Sequence, residues 1–105
     1  MVEDKKCLDT YALVEIAKEN SKFIDYLKLD FVITDLTLSE FYFVLLREAG
    51  EEKAEYWFKK LQPYVAYVNI VELKEAMKFR YLNKNKNLSF FDCVGYIFSI
   101  NSKFF

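Results

Sequence analysis

Apolar residues recur along this chain in two rhythms, and the changes from one to the other mark where elements begin and end. Residues 5–8 form a short stretch of strand character, and from Asp9-Thr10 onward Leu13, Ile16 and Ala17 fall on one helical face that ends near Asn20. Ser21 caps a second helix through Lys28, with Phe23, Ile24 and Leu27 on its buried side. Phe31 to Thr34 is continuously β-rich, as in a strand buried on both faces. Thr37-Leu38-Ser39-Glu40 opens the next helix, with Leu38, Phe41, Leu45 and Leu46 as its core stripe and Gly50 as its stop. Residues 51–62 are amphipathic, with Ala54, Trp57, Phe58 and Leu61 inward, and Pro63 closes them. Residues 67–71 are predicted as a third strand, and residues 72–82 as a helix resting on Leu73, Ala76 and Met77. A polar loop, Asn83-Lys84-Asn85-Lys86-Asn87, leads into a last helix over residues 89–100. Strands and helices alternating across short loops predict one α/β domain over residues 1–105, its sheet mostly parallel and flanked by helices.

The last helix is apolar almost all round, the pattern of a buried element. Phe90, Val94, Ile97 and Phe98 point one way, while Asp92, Gly95, Tyr96 and Ser99 form a narrow stripe of polar and small residues on the other side. A carboxylate on such a helix costs stability unless something faces it.

Composition narrows the chemistry. Of 105 residues 53% are apolar and 19% aromatic, enough for a core, and 15 basic residues nearly balance 16 acidic ones. No bulk field therefore favours nucleic acid or a membrane surface. The absence of histidine removes Ser-His and Cys-His catalysis and any His-based zinc site. Cys7 and Cys93 lie in apolar surroundings with no CxxC partner, which suits a reduced, cytoplasmic setting with both thiols as small buried hydrophobes. The N-terminus does not have the pattern of a signal peptide, and no apolar run is long enough for a membrane span.

Three acids remain: Asp9, Glu40 and Asp92, each at the start of a predicted helix. Each has a local role open to it. Asp9 fits an N-cap, Thr37-x-x-Glu40 fits a capping box, and Ser89-x-x-Asp92 is the same device with a shorter acid. Asp9 and Glu40 also follow strands closely, which puts them at the sheet edge where α/β ligands bind. Clustered carboxylates repel one another, and a divalent cation that favours carboxylate and water ligands relieves this; Mg²⁺ and Mn²⁺ are of that kind.

Cys7-Leu8-Asp9-Thr10-Tyr11-Ala12-Leu13-Val14-Glu15, Thr37-Leu38-Ser39-Glu40-Phe41 and Ser89-Phe90-Phe91-Asp92-Cys93, in this order and spacing, resemble the PIN-domain family, VapC-type toxins above all. The resemblance spans essentially the whole chain. It implies a three-layer fold and a metal-dependent endoribonuclease in which Asp9, Glu40 and Asp92 bind Mg²⁺ or Mn²⁺. It further implies that Thr10 supports the site, that the protein is a homodimer, and that a small antitoxin protein covers its active site. The family commonly adds a final strand carrying a fourth acid, and this sequence reaches Phe105 before one. A catalytically impaired PIN-like interaction module is therefore the alternative, with an open sheet edge prone to self-association. For an RNA substrate, Lys78, Arg80, Lys84 and Lys86 precede the Asp92 helix as candidate phosphate contacts, or as an ordinary solvated face. Arg47 shares a helix side with Glu40, either as its ion-pair partner or as another phosphate contact.

Overall fold

The computed structural model describes residues 6–19 and 30–102. Its spine is strand β2 (Phe31–Thr34), in which every residue is buried, so both faces of the strand are covered. Strand β1 (Lys6–Cys7) pairs with the first half of β2 in parallel, Lys6 opposite Phe31 and Cys7 opposite Val32. Strand β3 (Val65–Ala66) pairs in parallel with its second half, Ile33 opposite Val65 and Thr34 opposite Ala66. The sheet order is β1-β2-β3. The parallel α/β architecture expected from the alternating pattern is the one observed.

Helix α1 (Thr10–Ala17) follows β1, and α2 (Asp35–Glu48) leaves β2 with no intervening loop. Helix α3 (Glu51–Leu61) ends in a 3₁₀ turn, Gln62–Tyr64, that holds Pro63 and feeds β3. Helices α4 (Ile70–Leu82) and α5 (Phe90–Ser102) follow, joined through a second 3₁₀ turn, Lys84–Lys86. Gly50 separates α2 from α3 at φ +95°, a conformation that side chains with a Cβ rarely adopt, and nothing lies close to where that Cβ would be. Backbone conformation, not space, calls for glycine there.

Two apolar clusters result. The larger joins α1, β2, α2 and α3 through Leu13, Ile16, Ile33, Phe41, Ala54 and Leu61, all almost fully buried. The smaller lies where α4 packs on α5, around Ala76, Cys93 and Val94.

Four expectations are corrected. The third strand is not at residues 67–71: it lies earlier, and Ile70 and Val71 are exposed on the first turn of α4. Asn69 and Glu72 form a full capping box there, so the helix start outweighs the β preference of Val68, Ile70 and Val71. Leu46 and Met77 point outward, because the buried stripes run through Leu38, Phe41 and Leu45 and through Ala76, a position around the helix from each. Helix α5 is not buried all round, since Tyr96 and Ile100 are half exposed. The helix expected over residues 21–28 and the chain end at 103–105 lie outside the described residues.

Candidate functional site

The first acid owes its place to a strand that stops. Leu8 is buried and its N–H still bonds Val32 O at 3.0 Å, so the chain is anchored to the sheet up to that point. Asp9 then turns out in extended conformation as the N-cap of α1, its Oδ1 accepting from Ala12 N at 2.9 Å. That bond uses one carboxylate oxygen and leaves the other available to a ligand. Thr10, the first residue of α1, donates its hydroxyl to Glu40 Oε1 across the sheet edge.

Glu40 does not form the expected capping box. The cap of α2 is Thr34, the last residue of β2, whose Oγ1 accepts from Thr37 N at 3.0 Å and donates to Thr37 Oγ1 at 3.0 Å. With the helix starting at Asp35, Glu40 stands well past the first turn and too far on to reach the cap N–H. Its partner is Thr10 instead. Asp35, not singled out from sequence, accepts from Val68 N at 3.2 Å and so ties the segment after β3 to the start of α2.

Asp92 sits in the first turn of α5, where Ser89 Oγ accepts from its backbone N–H at 3.0 Å. This is the cap half of the expected Ser89-x-x-Asp92 device, and the Asp92 side chain is exposed.

Asp9, Glu40 and Asp92 come from three separate elements and line one cleft of about 230 Å³ beyond the carboxyl ends of β1 and β2. The stripe of Gly95, Tyr96 and Ser99 that accompanies Asp92 faces the same cleft. Thr10 and Thr37 also line it, and among the described residues no lysine or arginine does. Sequence reasoning missed Thr37 and Cys7 as lining residues. Alternation along the chain could have shown Cys7, since it lies two residues before Asp9 on the same side of an extended segment.

The donor set is one of oxygens. Burial pushes the Cys7 thiol above its ordinary range, Ser99 hydrogen bonding opposes this, and the Asp9 charge adds to it. A protonated thiol is neither a nucleophile nor a soft metal ligand. Carboxylates and hydroxyls without imidazole or thiolate suit a hard divalent ion such as Mg²⁺ or Mn²⁺. Among the described residues no three carboxylates converge tightly enough to form a ready metal cage. They line the cleft from three separate elements.

The candidate cations lie elsewhere. Arg47 pairs with Glu48 at 3.1 Å and lies over the Phe43 ring, so it is not the partner of Glu40. Arg80 donates through Nε to Leu88 O at 3.1 Å and shares a separate hollow with Tyr81 and Lys84, while Lys84 stands 5.1 Å from the Tyr81 ring. Lys78 borders another hollow, and Lys86 is exposed on the 3₁₀ turn.

No protein-family model matches the chain, and no curated protein matches it in sequence. Solved structures do match. The crystal structure of Mycobacterium tuberculosis VapC20, described as a sarcin-ricin loop cleaving toxin, aligns with a TM-score of 0.82 at 13% identity. The alignment covers 95% of this chain and 84% of that one, so the likeness extends over nearly the whole fold. No helix in the described residues is long and apolar enough to cross a membrane.

Proposed function

We propose that this chain, whose architecture is the VapC-type PIN fold, is a metal-dependent endoribonuclease and the toxin half of a toxin–antitoxin pair. The observation that carries this is the meeting of Asp9, Glu40 and Asp92 in one cleft. The cleft lies where parallel α/β sheets bind ligands. The structurally similar VapC20, a toxin that cleaves the sarcin-ricin loop, supports the same class of reaction.

In this reading Asp9, Glu40 and Asp92 hold Mg²⁺ or Mn²⁺. The bound ion would supply water activation and neutralise charge on the phosphoryl oxygens. The chain's own residues set the geometry around it. Asp9 is pinned by the Ala12 N–H, so its carboxylate needs little reordering when a ligand arrives. Thr10 holds Glu40 toward the cleft through its hydroxyl. Asp92 completes the set from the opposite wall, at the positive end of α5, where a negative charge is favoured by about 0.3–1 kcal/mol. Arg80, Lys84 and Lys86, outside the cleft, serve as phosphate contacts for the rest of the RNA, and their contribution weakens with salt. Arg47, paired to Glu48, contributes least. The same reading carries a homodimer, a small antitoxin protein that covers the cleft, and action in the cytoplasm.

The experiment compares RNA cleavage by the wild type and by Asp9→Asn with Mg²⁺ or Mn²⁺ added. Cleavage by the wild type that is lost in Asp9→Asn is the expected result. Equal cleavage by both would remove Asp9 from the mechanism. Calorimetry adds a second readout: no Mn²⁺ binding to the wild type would leave a non-catalytic interaction module as the better description.

A further inference from the structure

The three acids account for a metal and a phosphate, but not for how the cleft would hold a nucleotide. Among the described residues no lysine or arginine lines it, so none of these supplies an ion pair to the substrate inside the cleft. What the cleft does offer is aromatic rings, Phe91 and Tyr96, of which Tyr96 is the more exposed. Tyr96 lies one helical turn after Asp92 on the same side of α5 and lines the cleft with it. The residue is 51% exposed. The Phe79 ring of α4 lies 4.9 Å from it between centroids, tilted by 32°. Phe79 is itself packed against the cluster of Ala76, Cys93 and Val94. A ring packed against a neighbour has less rotamer freedom left to lose when a ligand stacks on it.

We propose that Tyr96, packed on Phe79, is a stacking platform for the base of an unpaired nucleotide next to the phosphodiester that would sit at the metal ion held by the acids. This deepens the ribonuclease reading and rests on it. Stacking needs the flat face of a base, which a duplex hides, so the platform selects single-stranded or looped RNA over paired RNA. It is tolerant of base identity, because every base has such a face. Tyr96 acts here through its ring, and its hydroxyl is dispensable.

The test compares wild type, Tyr96→Phe and Tyr96→Ala on a single-stranded RNA oligonucleotide with Mn²⁺. The same oligonucleotide is also made with an abasic site at each position flanking the cut. Tyr96→Ala should raise KM roughly 5- to 150-fold, the size of one base–aromatic stack, while kcat holds. Tyr96→Phe should match the wild type, and an unchanged kcat and melting temperature in Tyr96→Ala separate its effect from a folding loss. One abasic position should cost the wild type the same factor and cost Tyr96→Ala nothing further. An unchanged KM in Tyr96→Ala, or a loss that persists undiminished on every abasic substrate, would overturn the platform.

Binding of the intact oligonucleotide by Asp9→Asn, with and without Tyr96→Ala, separates this proposal from the nuclease assignment. If the wild type cuts no RNA but Asp9→Asn binds more tightly than the double variant, the platform stands and the nuclease reading falls. If the wild type cuts RNA and the two affinities are equal, the platform alone falls. Absent cleavage with equal affinities overturns both.

Discussion

The two walls of the cleft are built in opposite ways. Asp9, Thr10 and Glu40 stand on α1 and α2, whose inner faces carry Leu13, Ile16, Phe41 and Leu45 into the larger core against β2. Asp92, Gly95, Tyr96 and Ser99 stand on α5, which rests on α4 around three buried residues, Ala76, Cys93 and Val94, with Leu73, Phe79, Phe90 and Ile97 packed against them but only partly buried. Partly buried side chains remove less apolar area from water, and stability follows the area buried. The first wall is also cross-linked, since Thr10 bonds Glu40 across the sheet edge. The second has a cap at its start, Ser89, and a hydrogen bond from Ser99 to the Cys7 thiol as its tie to the β1 side. One wall is anchored in the larger core, and the other rests on the smaller cluster.

The largest test of this contrast is a pair of core truncations. Phe41→Ala should cost about 3–5 kcal/mol in denaturant unfolding, since Phe41 is fully buried in the larger core. Val94→Ala removes less and should cost about 2 kcal/mol. The more telling readout is hydrogen exchange. Val94→Ala should speed amide exchange in α4 and α5 while α1 and α2 keep their protection. Uniform loss of protection across the chain would show that the two clusters behave as one.

Thr10→Val tests the first wall directly. It keeps the side chain's shape and removes the donor to Glu40. Residues that orient metal ligands typically matter by about 10- to 100-fold, and metal affinity should fall by that order with folding little changed. Titration with Mn²⁺ followed by melting temperature reads it, because a ligand bound to the native state raises that temperature. An unchanged titration would mean that Glu40 needs no support.

Smaller effects probe the second wall. Ser89→Ala removes the cap of α5 and should cost about 1 kcal/mol, with faster exchange confined to the first turn of that helix. Gly95→Ala should do the reverse. No atom lies within 4 Å of where its Cβ would be, and alanine in place of glycine inside a helix contributes about 0.5–1 kcal/mol. The added methyl projects into the cleft, so the variant should be more stable yet bind RNA less well. A stabilised Gly95→Ala with full RNA affinity would show that this part of the wall meets no substrate.

Much of this molecule was legible one element at a time. Asp9 caps α1, Ser89 bonds the Asp92 N–H, and Gly50 ends α2, all as the local pattern predicts. The stripe of Asp92, Gly95, Tyr96 and Ser99, read as one side of its helix, lines one cleft. The misjudged elements are those where two local signals compete. Thr34 and Thr37 are both good caps, and only the direct passage of β2 into α2 gives the role to Thr34. Val68, Ile70 and Val71 favour a strand, while Asn69 and Glu72 favour a helix start, and the capping box prevails. Its signature was already in the sequence.

Pairing between elements was another matter. Glu40 finds Thr10 at thirty residues' separation, Arg47 turns to Glu48, and the lysines and Arg80 collect at hollows of their own. Caps, stops and helix faces depend on bonds three or four residues apart, whose geometry is set as soon as the local conformation forms. The shared cleft depends on how far the helices slide and turn as they bury their apolar faces, and a periodic pattern specifies which face is buried but not what stands beside it. Asp9, Glu40 and Asp92 were therefore visible singly as acids at helix starts. Packing alone brought them to one cleft and set Tyr96 in its lining against Phe79.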